Sequence, residues 1–161
     1  ISLGLVGSEM CIRDRLLEDA KSKENKEKPT HFVVIFDSAR KNFRNDIYED
    51  YKANRSDAPD DLIPQFEYIR KSVEAFNIPA VEMTNYEADD LIATYSKQIT
   101  KLGSDVTIVS SDKDLMQLHD KKVRIYDPMK NKFIKKEDVI AKFGVTSDKV
   151  IDVQSLSLIH I

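Results

Sequence analysis

Seven consecutive residues, Thr84-Asn85-Tyr86-Glu87-Ala88-Asp89-Asp90, place three carboxylates in the opening turn of an expected helix. Apolar positions Ala88, Leu91, Ile92, Tyr95, Ile99 and Leu102 follow at helical spacing, and Gly103 is a natural stop. Thr84 and Glu87 stand three apart, the spacing of a capping box, so one acid here would need no further explanation. The helix dipole also favours acids at this end. Three acids in four positions exceed what a cap uses, because like charges this close repel unless a cation or proton intervenes. The stretch therefore reads as a metal site. On the helical wheel Glu87 and Asp89 flank the buried stripe, whereas Asp90 turns toward solvent.

Two further acidic groups end apolar runs. His31 to Phe36 (HFVVIF) suits a strand buried on both faces, as in a parallel sheet, and it stops at Asp37. Asp105 to Ser110 is a second such strand and runs into Ser111-Asp112-Lys113-Asp114. The blander readings are a turn started by Asp37, and a short helix over Leu115 to His119 capped by Asp112 or Asp114. A cap explains one acid of that pair, not both. Strand-helix alternation implies right-handed crossovers and a parallel sheet, whose strand carboxyl ends share one edge. Ligands bind beyond that edge in α/β folds. Asp37, Glu87, Asp89, Asp90, Asp112 and Asp114 are thus expected to converge there. An oxygen-only set without Cys or His suits Mg2+ or Mn2+. Two such ions can activate a water and stabilise the leaving oxygen of a phosphodiester. Metal-assisted phosphodiester hydrolysis is the reaction class this pattern favours.

Between the first two acidic groups, Ser38 to Ala58 is long, polar and not clearly periodic. Arg40, Lys41, Arg44, Lys52 and Arg55 interleave there with Phe43, Tyr48 and Tyr51. A phosphate backbone and unstacked bases require that mixture. Asp46, Glu49 and Asp50 dilute the charge, so an ordinary solvated face competes with the binding reading. A loop this long inside a domain is more often functional.

The remaining elements position these groups. Asp60 to Phe76 reads as a helix with Leu62, Phe66, Ile69, Val73 and Phe76 buried, Asp60 or Asp61 as cap, and Pro64 near the first turn. Ile78 to Met83 is a short strand. Val123 to Tyr126 is another, closed by Asp127-Pro128, with Lys132 to Ile134 as its hairpin partner. Lys136 to Phe143 is a helix stopped by Gly144, and Ser147 caps a last helix running to about Gln154.

The 161 residues suit one domain, with 33% charged and 41% apolar residues. A net charge of −3 argues against nucleic acid, yet two bound dications would make it +1, so charge does not decide the partner. No apolar run approaches a membrane span, and His31, His119 and His160 lack ligand spacing. Four Gly form no phosphate loop. The single Cys11 excludes an internal disulfide and suits a reducing cytoplasm. Ile1 to Arg15 and Leu156 to Ile161 look like translated sequencing adapter, so residues 1–15 and 156–161 are expected to be artefactual tails.

VVIFDSARKNFRNDIYEDYKANR, YEADDLIA and SSDKDLMQL closely resemble the 5′ nuclease domain of bacterial DNA polymerase I, in the flap endonuclease superfamily. The resemblance covers about residues 16–155. It implies a PIN-like, three-layer α/β domain, with a mainly parallel central sheet flanked by helices and truncated at both ends. Asp37, Glu87, Asp89, Asp90, Asp112 and Asp114 would then be metal ligands or acids beside them, in a site holding two ions. Ser38 to Ala58 would belong to the arch that engages a 5′ single strand, with Arg44, Tyr51, Lys52 and Arg55 at the scissile phosphate and the strand. The implied activity is 5′-3′ exonuclease and 5′-flap endonuclease cleavage of DNA, removing primer RNA in replication and repair. A monomer is the default expectation, and the sequence leaves open whether a polymerase is fused to this domain in the intact gene product.

Overall fold

The computed structural model describes residues 29–38, 41–54 and 59–159, the last three by backbone alone. They form two compact units that divide between Leu91 and Ile92. In the first unit, β1 (Val34–Ile35) pairs in parallel with β2 (Ala80–Val81), Val34 opposite Ala80 and Ile35 opposite Val81. Between them lie α1 (Phe43–Ile47) and α2 (Ile63–Ala75). The expected strands over 31–36 and 78–83 thus shrink to two residues each. Among the described residues β1 has β2 as its one partner, and Phe32 and Val33 are 37% and 41% exposed, so burial on both faces is not found.

The cap of α2 also differs from expectation. Leu62 occupies that position without a side-chain hydrogen bond, and neither Asp60 nor Asp61 serves. Pro64 falls in the first turn, where its missing N–H costs nothing. Val73 is buried and Leu62, Phe66 and Ile69 are half-buried, but Phe76 is half exposed because the helix ends before it and Asn77 turns left-handed (φ 53°).

α3 (Ala88–Lys101) begins in the first unit, where Ala88 and Leu91 are buried. Its later residues belong to the second unit. Leu102 lies past the helix end and is 85% exposed, and Gly103 takes the left-handed conformation (φ 93°) suited to a stop.

In the second unit, β3 (Val106–Val109) pairs in parallel with β4 (Val123–Asp127), and β4 pairs antiparallel with β5 (Lys132–Ile134). Along β4, Val123, Ile125 and Asp127 are buried while Arg124 is exposed, the two-residue period of a sheet covered on one face. β3 likewise buries Ile108 and leaves Val109 37% exposed, so it too is not covered on both faces. The core gathers Ile108, Leu115, Met116, Val123, Ile125, Ile134, Val139 and Val150. α4 (Lys136–Phe143) stops at Gly144, whose φ of 75° a side chain would strain. α5 (Val150–Ile159) follows a 3-10 turn over Ser147–Lys149. Thr146, not Ser147, holds the N-cap position of that turn, and the helix passes Gln154.

The fold is therefore α/β, with parallel pairing in β1–β2 and β3–β4. Among the described residues the strands form two separate hydrogen-bonded sheets rather than one. The six predicted acids fall into two groups, one in each unit. None of the described helices is long and apolar enough to cross a membrane.

Candidate active site

In the first unit the start of α3 is capped by residues other than those the spacing suggested. Asn85 adopts φ 71° in a tight turn, which delays the helix to Ala88 and places Glu87 just before it. Asp37, just beyond β1, accepts the Ala88 N–H at 2.6 Å through Oδ1. The Oδ2 of Asp90 accepts the Glu87 N–H at 3.0 Å. Thr84 and Glu87 therefore do not form the capping box, and the Glu87 side chain is left for other contacts.

Those contacts come from the basic-aromatic stretch. Lys52 Nζ donates to Glu87 Oε1 at 2.6 Å, and Asn42 Nδ2 donates to the same oxygen at 2.7 Å. The Tyr51 hydroxyl lies 3.4 Å from Glu87 Oε2. Arg44 grips Asp90 with both terminal nitrogens, at 2.8 and 2.7 Å, and approaches Glu87 at 3.8 Å. Its guanidinium lies 4.6 Å from the Phe43 ring centre and 5.9 Å from that of Tyr51. The bidentate hydrogen bonds from Arg44 hold the Asp90 carboxyl below the usual carboxylate range, against a smaller opposing effect of burial. The same bonds push Arg44 further toward its charged form. Asp90 is thus held by Arg44, while its side chain, 26% exposed against 14% for Glu87, stays the more open of the two. Asp89 is half-buried in the same turn. Lys41 is exposed and borders a cleft of about 520 Å³ with Asn42, Asn45, Asp46, Glu49 and Asn85. Arg40 and Arg55 lie outside the described residues.

Asn42 belongs to the site although it lies outside the acidic and basic motifs. It is 4% exposed, and its Oδ1 accepts the Arg44 N–H at 2.9 Å as the N-cap of α1, while Asn45 reciprocates at 3.1 Å. One amide thus ties the helix carrying Arg44 to Glu87. The only local signal is the spacing of Asn42 and Asn45, a weaker variant of a capping box. Asn42→Ala removes the cap and a buried donor together. It should destabilise the first unit by about 1–2 kcal/mol in urea unfolding. Asn42→Asp keeps the cap but sets a second carboxylate against Glu87.

In the second unit, Asp112 caps a 3-10 turn over Lys113–Leu118 by accepting the Asp114 N–H at 2.8 Å, as expected of one acid of the pair. Asp114 Oδ1 accepts from Gln154 Nε2 on α5, so each acid also has a structural partner. Asp112, Ser111, Lys113, Met116, Lys130 and Lys142 line a cavity of about 380 Å³. Beside them stands Asp127, read in the sequence only as turn punctuation. It is 2% exposed and accepts from Ser111 Oγ (2.9 Å) and from the backbone N–H groups of Met129 (3.0 Å) and Lys130 (3.2 Å). The Lys130 ammonium lies 3.0 Å from its other oxygen. Burial pushes the Asp127 carboxyl up, but the hydrogen bonds from Lys130 and Ser111 outweigh it and the net direction is down.

The acids supply hard oxygen donors, the type a divalent cation of the Mg2+ class takes. Among the described residues, however, no three Asp, Glu, His or Cys side chains stand close enough to share an ion. In the first unit, Glu87 and Asp90 already carry Lys52 and Arg44.

Residues 15–144 match the family model described as 5′-3′ exonuclease, N-terminal resolvase-like domain. The chain belongs to that family. It is 53% identical over 143 residues to the DNA polymerase I of Rhizobium leguminosarum, covering 89% of this chain and 14% of that protein. It is 42% identical over 131 residues to a 5′-3′ exonuclease of Aquifex aeolicus, covering 81% and 45%. The chain therefore spans less than half of these two relatives. Its fold matches that of T5 5′-exonuclease, solved with bound zinc, at a TM-score of 0.71 and 24% identity, over 88% of this chain and 55% of the other. A bacteriophage T5 flap endonuclease, solved with DNA and metal ions, matches at 0.70 and 22% identity, over 89% and 55%. The α/β expectation and the family resemblance both hold.

Proposed function

We propose that this chain is the nuclease portion of a divalent-metal-dependent 5′-3′ exonuclease and 5′-flap endonuclease acting on DNA. The observation that carries the reading is the meshing, within one unit, of the acids at the start of α3 with Arg44, Tyr51 and Lys52. Carboxylates that suit metal ions thus alternate with cations and a ring that suit phosphates and bases. Asp37, Glu87, Asp89, Asp90, Asp112 and Asp114 are the metal-site acids, for two Mg2+ or Mn2+ ions. Such ions, when bound, supply a water nucleophile and stabilise the leaving oxygen. Arg44 and Lys52 hold and orient the scissile phosphate; Arg40, Lys41, Tyr51 and Arg55 bind the 5′ strand. The substrate is a flapped or nicked duplex, including one that begins with primer RNA. The protein acts as a monomer in the bacterial cytoplasm, joined to a polymerase in the manner of the Rhizobium relative.

Turnover of a 5′-flap duplex and of p-nitrophenyl phosphate, each with Mn2+ and with EDTA, tests this. The flap should be cut with Mn2+ alone and the small ester left intact. Turnover of the small ester in place of the flap would make the site that of a phosphatase.

A further inference from the structure

Arg44 and Lys52 are placed on the oxygens that a divalent ion would need. Lys52 Nζ is 2.6 Å from Glu87 Oε1, and both Asp90 oxygens are engaged by Arg44. A dication coordinates carboxylate oxygen at roughly 2.0–2.6 Å. A dication bound to these oxygens would therefore lie within a few ångströms of two positive side chains, at a site sheltered enough for the repulsion to count. The side chains of Glu87 and Asp90 are 14% and 26% exposed. Lys52 also holds a left-handed backbone (φ 58°), a conformation that a non-glycine residue keeps only where its surroundings hold it. The contacts around it include its own pair with Glu87, the Asn45 Nδ2 bond to the Tyr51 carbonyl at 3.3 Å, and the Ala53 N–H bond to the Asp50 carbonyl at 3.0 Å.

We propose that Arg44 and Lys52 are exchangeable counter-ions. Without a divalent ion they neutralise Asp90 and Glu87. With the ion on those oxygens, both cations are displaced and become available to a phosphodiester, which a guanidinium can grip in the same bidentate manner. Loading of the ion and capture of the phosphate then reinforce one another, since each favours the unpaired form and coupling between two sites is reciprocal. This rests on the metal-dependent reading above and adds to it an order: the protein's own cations leave the acids before they serve the substrate.

The test is Mn2+ binding by titration calorimetry to the full chain, to Arg44→Gln and to Lys52→Gln. Each substitution removes a competing cation, so each should tighten Mn2+ binding by about tenfold, within the range usual for coupled sites. If the unsubstituted chain binds Mn2+ and both variants bind no more tightly, the exchange is overturned while the metal reading stands. Failure of all three to bind overturns both. A second measurement needs no variant. The bidentate pair should give Arg44 separate, slowly exchanging Nη–H resonances, and saturating Mg2+ should collapse them. Their persistence at saturation would overturn the exchange.

Discussion

Asp89→Asn and Asp112→Asn each silence 5′-flap cleavage with Mn2+ when this chain is extended to the length of its exonuclease relatives. The expected loss is at least about a hundredfold, since even a partner one shell removed from a bound metal is worth up to that much. The two residues lie on opposite sides of the Leu91/Ile92 boundary, so thermal melts of both variants are needed to separate lost chemistry from lost fold. Amide replacements matter for Asp112, which caps its 3-10 turn through the Asp114 N–H. Asparagine caps as well as aspartate, whereas alanine would add about 1 kcal/mol of destabilisation to the chemical effect. The nuclease account predicts lost cleavage with an unchanged thermal midpoint in both Asn variants. Normal cutting by either one removes that residue from the metal site.

Asp127→Ala is the substitution expected to cost most in stability. The carboxylate is buried at the end of β4 and takes hydrogen bonds from Ser111, Met129 and Lys130. Removing it strands a partly buried hydroxyl and two turn N–H groups, so the expected loss is about 2–4 kcal/mol in urea unfolding at neutral pH. The loss should depend on pH in a defined direction. The folded carboxyl lies below its ordinary value, so the folded state binds fewer protons than the unfolded one across that window. The ionised carboxylate's contribution is complete above about pH 5, where unfolded Asp is almost fully ionised, and fades as pH falls through the folded value. Asp127→Asn should therefore be markedly less stable than the parent chain at pH 7 and approach it in acid. A gap independent of pH would mean that shape, not charge, holds this turn.

The readable parts of the chain were those whose signals are local. Lys136–Phe143 and its Gly144 stop appear where the spacing put them, because helix period and a left-handed C-cap are both encoded within a few residues. The β4–β5 hairpin and the Asp112 cap were legible for the same reason. What failed was decided at a distance. Asp37 caps α3 across 51 residues of sequence, and Arg44 reaches Asp90 across 46. No window around Thr84 shows that Asp37 takes the Ala88 N–H, whereas the Asp90 cap on Glu87 spans only three residues. Apolar runs overstate strand length here because a half-covered strand and a fully covered one share the same β-branched composition. Asn42 and Asp127 escaped notice because a polar residue that organises a buried network resembles an ordinary turn residue in sequence. At the site itself, residue types were legible in both acids and bases; their pairing was not.

The proposed function assigns these acids and cations to the cleavage of a nucleic acid strand from its 5′ side. Its most direct measurement is cutting of two duplexes of identical sequence, one with a 5′ flap and one with a 3′ flap, by the extended chain with Mn2+. The 5′ flap should be released, the 3′ flap left uncut, and neither cut in EDTA. Equal cutting of both flaps, or cutting that survives EDTA, would contradict that assignment.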